Sequence, residues 1–382
     1  MTTKHQKPSK ATAKAEAPSR RKFLAGAAAA SAAAATLAFP NVSRAQTVTL
    51  KFQSTWPAKD IFHEFAADFV KKVNDISGGR LKLDLLTAGA VVPAFQLQDA
   101  VHSGALDGGH GVTAYWYGKN KAFSLFGTGP AFGMDANQTL GWFYYGGGNA
   151  FYNELLHDVL KLNVVGFLTG PMPTQPLGWF KREVKGPDDL KGLKYRTVGL
   201  SADLFRDLGS AVTILPGGEI VPSMERGVID AAEFNNPSSD RGLGFPDVSK
   251  IFMLKSYHQP AETFEIIFNR AKFQGLPGEL QAALRVASEA ASADMSWKAQ
   301  DRYSRDLDEM IAKQGVKVHI TPRSVLEAQL KSWDKLTAQL SADPFFKKVV
   351  DSQKAWVKRV EGYYRRNEVG NEIAYEHHFG KA

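Results

Sequence analysis

The order of strands and helices constrains this fold more than any other feature of the chain. The segment VTLKFQ is predicted to be a strand, and Ile61–Ile76 carries apolar side chains at every third or fourth position, which is typical of an amphipathic helix. Gly78 and Gly79 end that helix, and LKLDLL follows as a second strand. A strand, a helix and a strand in this order predict a βαβ unit with parallel strands.

A second unit of the same kind follows later in the chain. LKYRTV is predicted to be a strand, residues 201–208 a helix closed by Gly209, and AVTILP the returning strand. The segments LQDAVHSGALDGGH and VPSMERGVIDAAEF also align when Gly104 is placed on Gly227. Two similar α/β lobes explain this repetition, and a single doubly wound domain of the same length is the alternative.

The C-terminal part of the chain predicts three long helices, at residues 279–314, 322–340 and 344–367. Each of these segments opens near a proline or a capping residue. They carry three tryptophans, which we expect to pack within the chain, with contact to a second subunit as the alternative: Trp297, Trp333 and Trp356. The last helix, PFFKKVVDSQKAWVKRVEGYYRRNE, has apolar side chains on one face and predicts a homodimer formed through it.

The first 45 residues have the three-part plan of an export signal. A polar basic start leads into SRRKFL, an Ala-rich run and the small residues before Ala45, after which we expect cleavage. The paired arginines before Phe-Leu are typical of the twin-arginine signal, which exports folded bacterial proteins. An ordinary secretory signal with two adjacent arginines is the alternative. The sequence therefore predicts a periplasmic protein.

Charge and composition exclude several classes of function. The formal net charge is +8, but residues 1–45 hold eight basic residues and one acidic residue, which leaves 39 basic and 38 acidic residues in the rest. Such a balance gives no indication of nucleic-acid binding. The chain has no cysteine, which excludes thiolate metal sites and disulfides. Beyond the leader, no segment has the ~18 unbroken apolar residues of a membrane helix.

The chain lacks common enzyme motifs, and binding chemistry is what remains. It contains no G-x-S-x-G elbow, no phosphate-binding P-loop and no H-E-x-x-H helix. In open α/β sheets, ligands lie beyond the carboxyl ends of the strands. Arg196 ends such a strand, so it is either a solvated residue or the partner of an anion. Polar and aromatic candidates near other strand ends are Tyr115, Trp116, Gln175, Glu233, Phe234, Asn236 and His258.

Three stretches carry a family resemblance: GPDDLKGLKYRT, LGSAVTILPGGEI and MERGVIDAAEF. They resemble the solute-binding subunits of tripartite ATP-independent periplasmic (TRAP) transporters, and most closely the branch that binds 2-oxo acids and lactate with a metal ion. The resemblance extends from Gln46 to the C-terminal helices, and residues 188–234 are its specific part. It implies an α/β, two-lobed, type II-like periplasmic binding protein in which a long helix bridges the lobes.

That resemblance also predicts the organisation of the chain. The expected parts are an export signal at 1–45, lobe I at 46–172 completed by part of 258–320, the lobe II core at 173–257, and bridging and C-terminal helices at 278–382.

The resemblance further implies a role for individual residues. Arg196 would clamp the substrate carboxylate in a bidentate pair, while Gln175, Glu233 and the Phe234 carbonyl would hold Na⁺ or Ca²⁺. These roles are chemically consistent, because arginine matches a planar carboxylate and hard cations prefer oxygen ligands. Tyr115, Trp116, Asn236 and His258 are further substrate-binding candidates, and for the aromatic and histidine side chains core packing is an equal alternative.

One departure from the family pattern affects the solute. The branch commonly has tryptophan where this chain has Phe234, followed here by NNPSSD. A backbone ligand survives this change but the side-chain wall does not, which leaves the size of the solute open.

Together these features predict a receptor and not an enzyme. It would close over a small 2-oxo or 2-hydroxy monocarboxylic acid and deliver it to TRAP transporter membrane subunits. The alternatives are an exported enzyme acting on small organic acids and a sensor or scaffold built from the same lobes.

Overall fold

Two sheets and a long helix organise the chain. The computed structural model describes residues 47–380, so the predicted export signal and its cleavage after Ala45 lie outside the described residues. The strands are β1 Val48–Ser54, β2 Leu81–Leu86, β3 Gly108–Gly111, β4 Val164–Met172, β5 Gly178–Phe180, β6 Lys194–Arg196, β7 Ala211–Thr213, β8 Ala231–Ala232, β9 Ile251–Leu254, β10 Glu262–Asn269 and β11 Lys317–Ile320.

The α-helices of the described residues alternate with these strands up to β10 and dominate after it. They are α1 Ile61–Ile76, α2 Leu97–Ser103, α3 Ala136–Tyr145, α4 Gly148–Glu154, α5 Ser201–Asp207, α6 Gly217–Glu225, α7 Pro237–Leu243, α8 Phe245–Val248, α9 Arg270–Gln274, α10 Gly278–Gln314, α11 Arg323–Leu340, α12 Pro344–Asn367 and α13 Asn371–Phe379.

The first sheet has the order β2-β1-β3-β10-β4 and forms lobe I. β1 is parallel to β2 and β3, as the predicted βαβ unit requires, and β10 lies antiparallel between β3 and β4. Helix α1 begins at Asp60, whose side chain accepts a hydrogen bond from Phe62 N. Its buried face consists of the side chains whose spacing predicted the helix, among them Phe65, Phe69 and Val73.

The second sheet has the order β11-β9-β5-β8-β6-β7 and forms lobe II. β6, α5 and β7 make the second predicted βαβ unit, with β6 parallel to both β7 and β8. β5 is antiparallel to β8 and β9, and β11 adds a parallel edge strand. The prediction of two α/β lobes is therefore confirmed, and the single doubly wound domain is excluded.

Two short segments and one helix connect the lobes. Residues 173–177 lead from β4 to β5, and residues 255–261 lead from β9 back to β10; we call these the crossing segments. They run side by side, because Gln175 N donates to the Gln259 carbonyl at 3.1 Å and Thr174 Oγ1 donates to the Pro260 carbonyl at 2.9 Å. Helix α10 spans 37 residues and is the predicted bridge. Its Ser292 Oγ accepts a hydrogen bond from Gly170 N in β4.

The C-terminal helices lie over the lobes. Trp333 of α11 is 4% exposed and donates to the Tyr257 carbonyl, which confirms intramolecular packing for this residue. Trp297 of α10 is 69% exposed, so the expectation that it packs within the chain was wrong. None of the side chains of α13 is buried. Within residues 47–380, no helix combines the length and apolar character that a membrane span requires.

Candidate functional site

Arg196 is buried and held on two sides. It ends β6 with 1% exposure, so the reading of a solvated strand-end residue is excluded. Nε and Nη2 donate to the Leu215 carbonyl at 2.8 and 2.6 Å, and Nη1 donates to the carbonyl and Oε1 of Glu233 at 2.8 and 3.0 Å. Since a guanidinium has five N–H donors, one N–H of Nη2 remains for a ligand in this arrangement. To bind a carboxylate through two hydrogen bonds, Arg196 would have to break one of its bonds to Leu215 or Glu233.

Glu233 is the buried carboxylate behind this guanidinium. It follows β8 and is 0% exposed. Burial raises the pKa of Glu233 from 4.5 to about 7, although the charge of Arg196 acts in the opposite direction. Its Oε1 accepts from Arg196, and the neighbouring Thr197 hydroxyl and Val198 N also lower the pKa of this carboxyl, but no hydrogen bond of standard geometry reaches the buried Oε2 among residues 47–380. An acceptor in this state is available to a cation.

Gln175 lies on the first crossing segment and is 1% exposed. Its Nε2 donates to Glu262 Oε2 at 2.5 Å, and its Oε1 has no partner in the described part of the chain. Asn235 Nδ2 donates to the same Glu262 oxygen at 2.6 Å. Burial, and secondarily the charge of Glu233, raises the pKa of Glu262 to about 8.

These groups surround a small cavity between the lobes. It has a volume of about 10 Å³, which is room for about one water molecule and not for an organic acid. Lobe I, the crossing segments and lobe II all contribute to its lining, which consists of Trp56, Phe62, Val112, Tyr115, Gln175, Arg196, Val198, Phe234, Asn235 and Glu262. The Phe234 ring lies 5.8 Å from Arg196 Cζ and 5.7 Å from the Phe62 ring, which closes the apolar side of the cavity.

Four of the residues predicted from sequence line this cavity: Tyr115, Gln175, Arg196 and Phe234. The Tyr115 hydroxyl is buried without a partner among the described residues, and burial raises the pKa of Tyr115 above its usual range. Glu233 contacts the cavity only through Arg196.

Three other predicted substrate-binding residues lie elsewhere. Trp116 is 1% exposed, and its Nε1 donates to Glu265 Oε2 at 2.5 Å within the core of lobe I. Its indole lies inside lobe I because the turn Thr113–Trp116 directs successive side chains to different sides. Asn236 caps α7 by accepting hydrogen bonds from Ser238 N and Ser239 N.

His258 is the third of these, and it is fully buried. Its Nδ1 lies 2.6 Å from Ser256 Oγ, and its ring packs against Phe205. Burial, with a smaller effect of the Arg196 charge, lowers the pKa of His258 to about 3, so its imidazole is neutral at physiological pH. Direct contact with a solute in the cavity is therefore not supported for Trp116, Asn236 or His258.

Two polar residues at the cavity, Asn235 and Glu262, were not among the predicted site residues, and neither were the apolar lining residues Trp56, Phe62, Val112 and Val198. Asn235 lies between two candidates that were named. Glu262 carried a signal of its own, because a glutamate inside the apolar strand ETFEIIFN is rarely buried without a specific partner.

The oxygen atoms of this site fit a hard cation. Two of the buried acceptors that lack a hydrogen bond among residues 47–380 are Gln175 Oε1 and Glu233 Oε2, an amide and a carboxyl oxygen of the kind that Na⁺ and Ca²⁺ accept as ligands. Residues 47–380 contain no group of three or more His, Cys, Asp or Glu side chains arranged to hold a metal ion. A site of the zinc type is therefore not formed by these residues.

Comparisons with known proteins agree with this fold. Residues 52–343 match the family described as bacterial extracellular solute-binding protein, family 7. The chain is 33% identical over 327 residues to the monocarboxylate 2-oxoacid-binding periplasmic protein of Nostoc sp. strain PCC 7120, covering 85% of this chain and 88% of that protein.

Two solved structures are similar over most of their length. A TRAP transporter solute-binding protein from Bordetella bronchiseptica, a dimer with copurified calcium and picolinate, matches with a TM-score of 0.81 and 30% identity, covering 87% of this chain and 97% of that one. A TRAP periplasmic solute-binding protein from Pseudoalteromonas atlantica with bound sodium and pyruvate matches with a TM-score of 0.77 and 30% identity, covering 85% and 100%.

Proposed function

Because this chain belongs to family 7 of the bacterial extracellular solute-binding proteins, we propose that it captures a small 2-oxo or 2-hydroxy monocarboxylic acid together with Na⁺ or Ca²⁺. It would deliver this acid to the membrane subunits of a TRAP transporter. The family and its solved members are receptors, so the chain is a solute-binding protein and not an enzyme. The solutes and ions of its relatives, which are 2-oxoacids, pyruvate, picolinate, calcium and sodium, support this substrate class.

One observation carries the proposal: a buried guanidinium lines the same small cavity as a buried amide oxygen that has no hydrogen bond in the described residues. Arg196 attracts a carboxylate, and Gln175 Oε1 attracts a cation. Glu233 and the Phe234 carbonyl are the further ligands that we propose. When bound, a hard cation supplies positive charge that offsets the carboxylate of the acid.

The charges of the site explain why acid and cation would bind together. Arg196 and Glu233 form a buried ion pair at 3.0 Å. Glu262, with its pKa raised to about 8, is mostly protonated at neutral pH. A lone carboxylate would therefore bring an uncompensated negative charge into a neutral buried site, which is costly. A monocarboxylate that enters together with Na⁺ leaves the net charge of the site unchanged.

Hinge closure of the two lobes is the proposed mechanism of capture. Lobe I supplies Trp56 and Tyr115, lobe II supplies Arg196 and Phe234, and the crossing segments lie between them. Since the cavity holds about 10 Å³, the acid and its cation would need the lobes to part further than they do in this structure. We also propose the predicted boundaries, with lobe I at 46–172 completed by part of 258–320, the lobe II core at 173–257, and bridging and C-terminal helices at 278–382. The membership of β1–β4 and β10 in one sheet supports them.

Export and assembly complete the proposal. The family places the protein in the periplasm, and we propose that residues 1–45 direct it there as a twin-arginine signal. We further propose a homodimer formed through α12, the helix at Pro344–Asn367. Its support is the exposure of large apolar side chains near that end of the chain, namely Tyr363, Val369, Ile373, Tyr375 and Phe379.

Calorimetric titration of chelator-treated protein with pyruvate tests the function directly. Pyruvate should bind weakly without added ions and at least about tenfold more tightly after CaCl₂ or NaCl is added, because linked ligands strengthen each other's binding. Glycerol, a small neutral molecule without a carboxylate, is the control and should give no binding. An affinity for pyruvate that does not respond to either salt would contradict the proposal that the ion binds with the acid.

A further inference from the structure

Glu262 contacts the proposed cation ligand Gln175. It is the first residue of β10 and 3% exposed. Its Oε2 accepts hydrogen bonds from Gln175 Nε2 at 2.5 Å and from Asn235 Nδ2 at 2.6 Å. Both donors are side-chain NH₂ groups, so one carboxylate oxygen fixes the orientation of two amides.

The orientation of an amide decides whether it attracts or repels a cation. The oxygen end of Gln175 is an acceptor, whereas its NH₂ end presents hydrogens with partial positive charge. The terminal torsion of a glutamine is broad and roughly two-fold, so the side chain itself hardly prefers one end. With Nε2 directed at Glu262, Oε1 is the end that has no hydrogen bond within residues 47–380.

Other contacts fix the rest of Gln175. Its backbone N donates to the Gln259 carbonyl at 3.1 Å, and the preceding Thr174 Oγ1 donates to the Pro260 carbonyl at 2.9 Å. These bonds set the path of the crossing segment but do not involve the amide of the side chain. The hydrogen bond to Glu262 therefore determines that the Gln175 amide directs its NH₂ end at β10 and its oxygen end away from this strand.

We propose that Glu262 is a positioning residue that holds the Gln175 amide with its oxygen available to the cation. This inference rests on the proposed function, because it assigns Gln175 as a cation ligand. We assign its action to Gln175 because the oxygen that contacts Gln175, Oε2, is occupied by two hydrogen bonds, and the double-mutant cycle below tests whether its other oxygen contacts the cation directly. Hydrogen-bond partners of metal ligands typically contribute about 10- to 100-fold to metal affinity.

Calcium titration of the chelator-treated full chain, with and without pyruvate, tests the role of Glu262. Glu262→Gln keeps an oxygen acceptor and should bind Ca²⁺ within about threefold of the unchanged protein. Glu262→Met and Glu262→Ala remove the acceptor and should lower the affinity at least about tenfold. Glu265→Gln is the matched control, because Glu265 is an equally buried carboxylate on the same strand that contacts Trp116 and Tyr152 instead.

A double-mutant cycle shows whether Glu262 acts through Gln175. In a Gln175→Ala background, Glu262→Met should lower the Ca²⁺ affinity no further. An equal loss in both backgrounds would overturn the inference, as would a loss in Glu262→Gln as large as in Glu262→Met, because an oxygen acceptor at this position would then not be the property that sets the affinity. If the unchanged protein binds Ca²⁺ but all variants match it, only this inference fails. If the unchanged protein binds no Ca²⁺ even with pyruvate, the metal part of the proposed function fails with it.

Discussion

Replacing Glu233 with glutamine separates the charge of this residue from its hydrogen bond. Glu233 is 0% exposed, and its Oε1 accepts from Arg196 Nη1 at 3.0 Å. The Glu233→Gln side chain keeps an oxygen acceptor and nearly the same shape but loses the negative charge. The guanidinium of Arg196 is then left without a compensating charge from this partner. We expect such a site to take a carboxylate without requiring a cation.

The pKa of Glu233 indicates how this change affects folding. Burial raises it from 4.5 to about 7 even beside Arg196. Because one pKa unit corresponds to 1.36 kcal/mol, a rise of this size disfavours the ionised form of Glu233 by about 3 kcal/mol. Removing the charge therefore relieves a cost of burial while it leaves Arg196 less compensated. We expect the free energy of unfolding at neutral pH to change by no more than about 1 kcal/mol.

Calorimetry with pyruvate measures the effect on binding. In chelator, Glu233→Gln should bind pyruvate at least about tenfold more tightly than the unchanged protein, because a hydrogen bond to a charged group contributes about 1.5–3 kcal/mol. Added Ca²⁺ should then improve the affinity less than about threefold. Glu265→Gln, which removes a carboxyl whose pKa is also raised to about 7, is the control and should keep the dependence on Ca²⁺. If Glu233→Gln needs Ca²⁺ as much as the unchanged protein does, the charge-balance argument is wrong.

Three further predictions concern pH, the guanidinium and assembly. Burial raises the pKa of five carboxyl groups to about 7 or 8, so the folded state binds more protons than the unfolded state. The melting temperature of chelator-treated protein should therefore fall as the pH rises from about 5 to 8. A melting temperature that rises over this range would contradict the prediction. The groups are Asp60, Glu233, Asp240, Glu262 and Glu265. Arg196→Lys should weaken pyruvate binding about 100-fold, since an ammonium lacks the planar fork that bonds Leu215 and Glu233 and still leaves an N–H for the carboxylate, whereas Arg182→Lys, at a side chain 79% exposed, should have no effect. Tyr363→Glu, at an exposed side chain of α12, should convert a dimer into a monomer in light scattering, and an unchanged mass would contradict the proposed dimer.

The sequence predicted the parts of the fold that depend on local periodicity. Helix α1 was predictable because its phenylalanines recur every three or four residues and two glycines follow it. Helices α10 to α12 matched their predicted ranges to within one residue. The position of Arg196 at the cavity was predictable as well, because the end of a parallel strand at the edge between two lobes is a usual place for a ligand-binding residue.

Side-chain direction was not predictable from the same patterns. Tyr115 and Trp116 are neighbours in the chain, yet the first lines the cavity and the second donates to Glu265 in the core. Their turn has neither the period of a strand nor that of a helix, so sequence spacing does not assign a face. Trp297 was misjudged for a related reason, because only the packing of α10 against its neighbours decides which of its faces is exposed. The hydrogen bonds from Arg196 to the Leu215 carbonyl likewise depend on a loop whose path the sequence does not give.

The position of Gln175 and Glu262 has a consequence for the order of binding. Trp56 and Tyr115 belong to lobe I, and Arg196 and Phe234 belong to lobe II, so these groups would separate when the lobes part. Gln175 lies on one crossing segment, and Glu262 directly follows the other. A backbone hydrogen bond from Gln175 N to the Gln259 carbonyl joins the two segments, and the side chains of Gln175 and Glu262 are bonded as well. Because a hinge moves least at its axis, the bond between Gln175 and Glu262 should persist in the open state. The amide oxygen would then be oriented before a solute arrives, and lobe closure would mainly bring Arg196 and the aromatic walls to a ligand position that is already prepared.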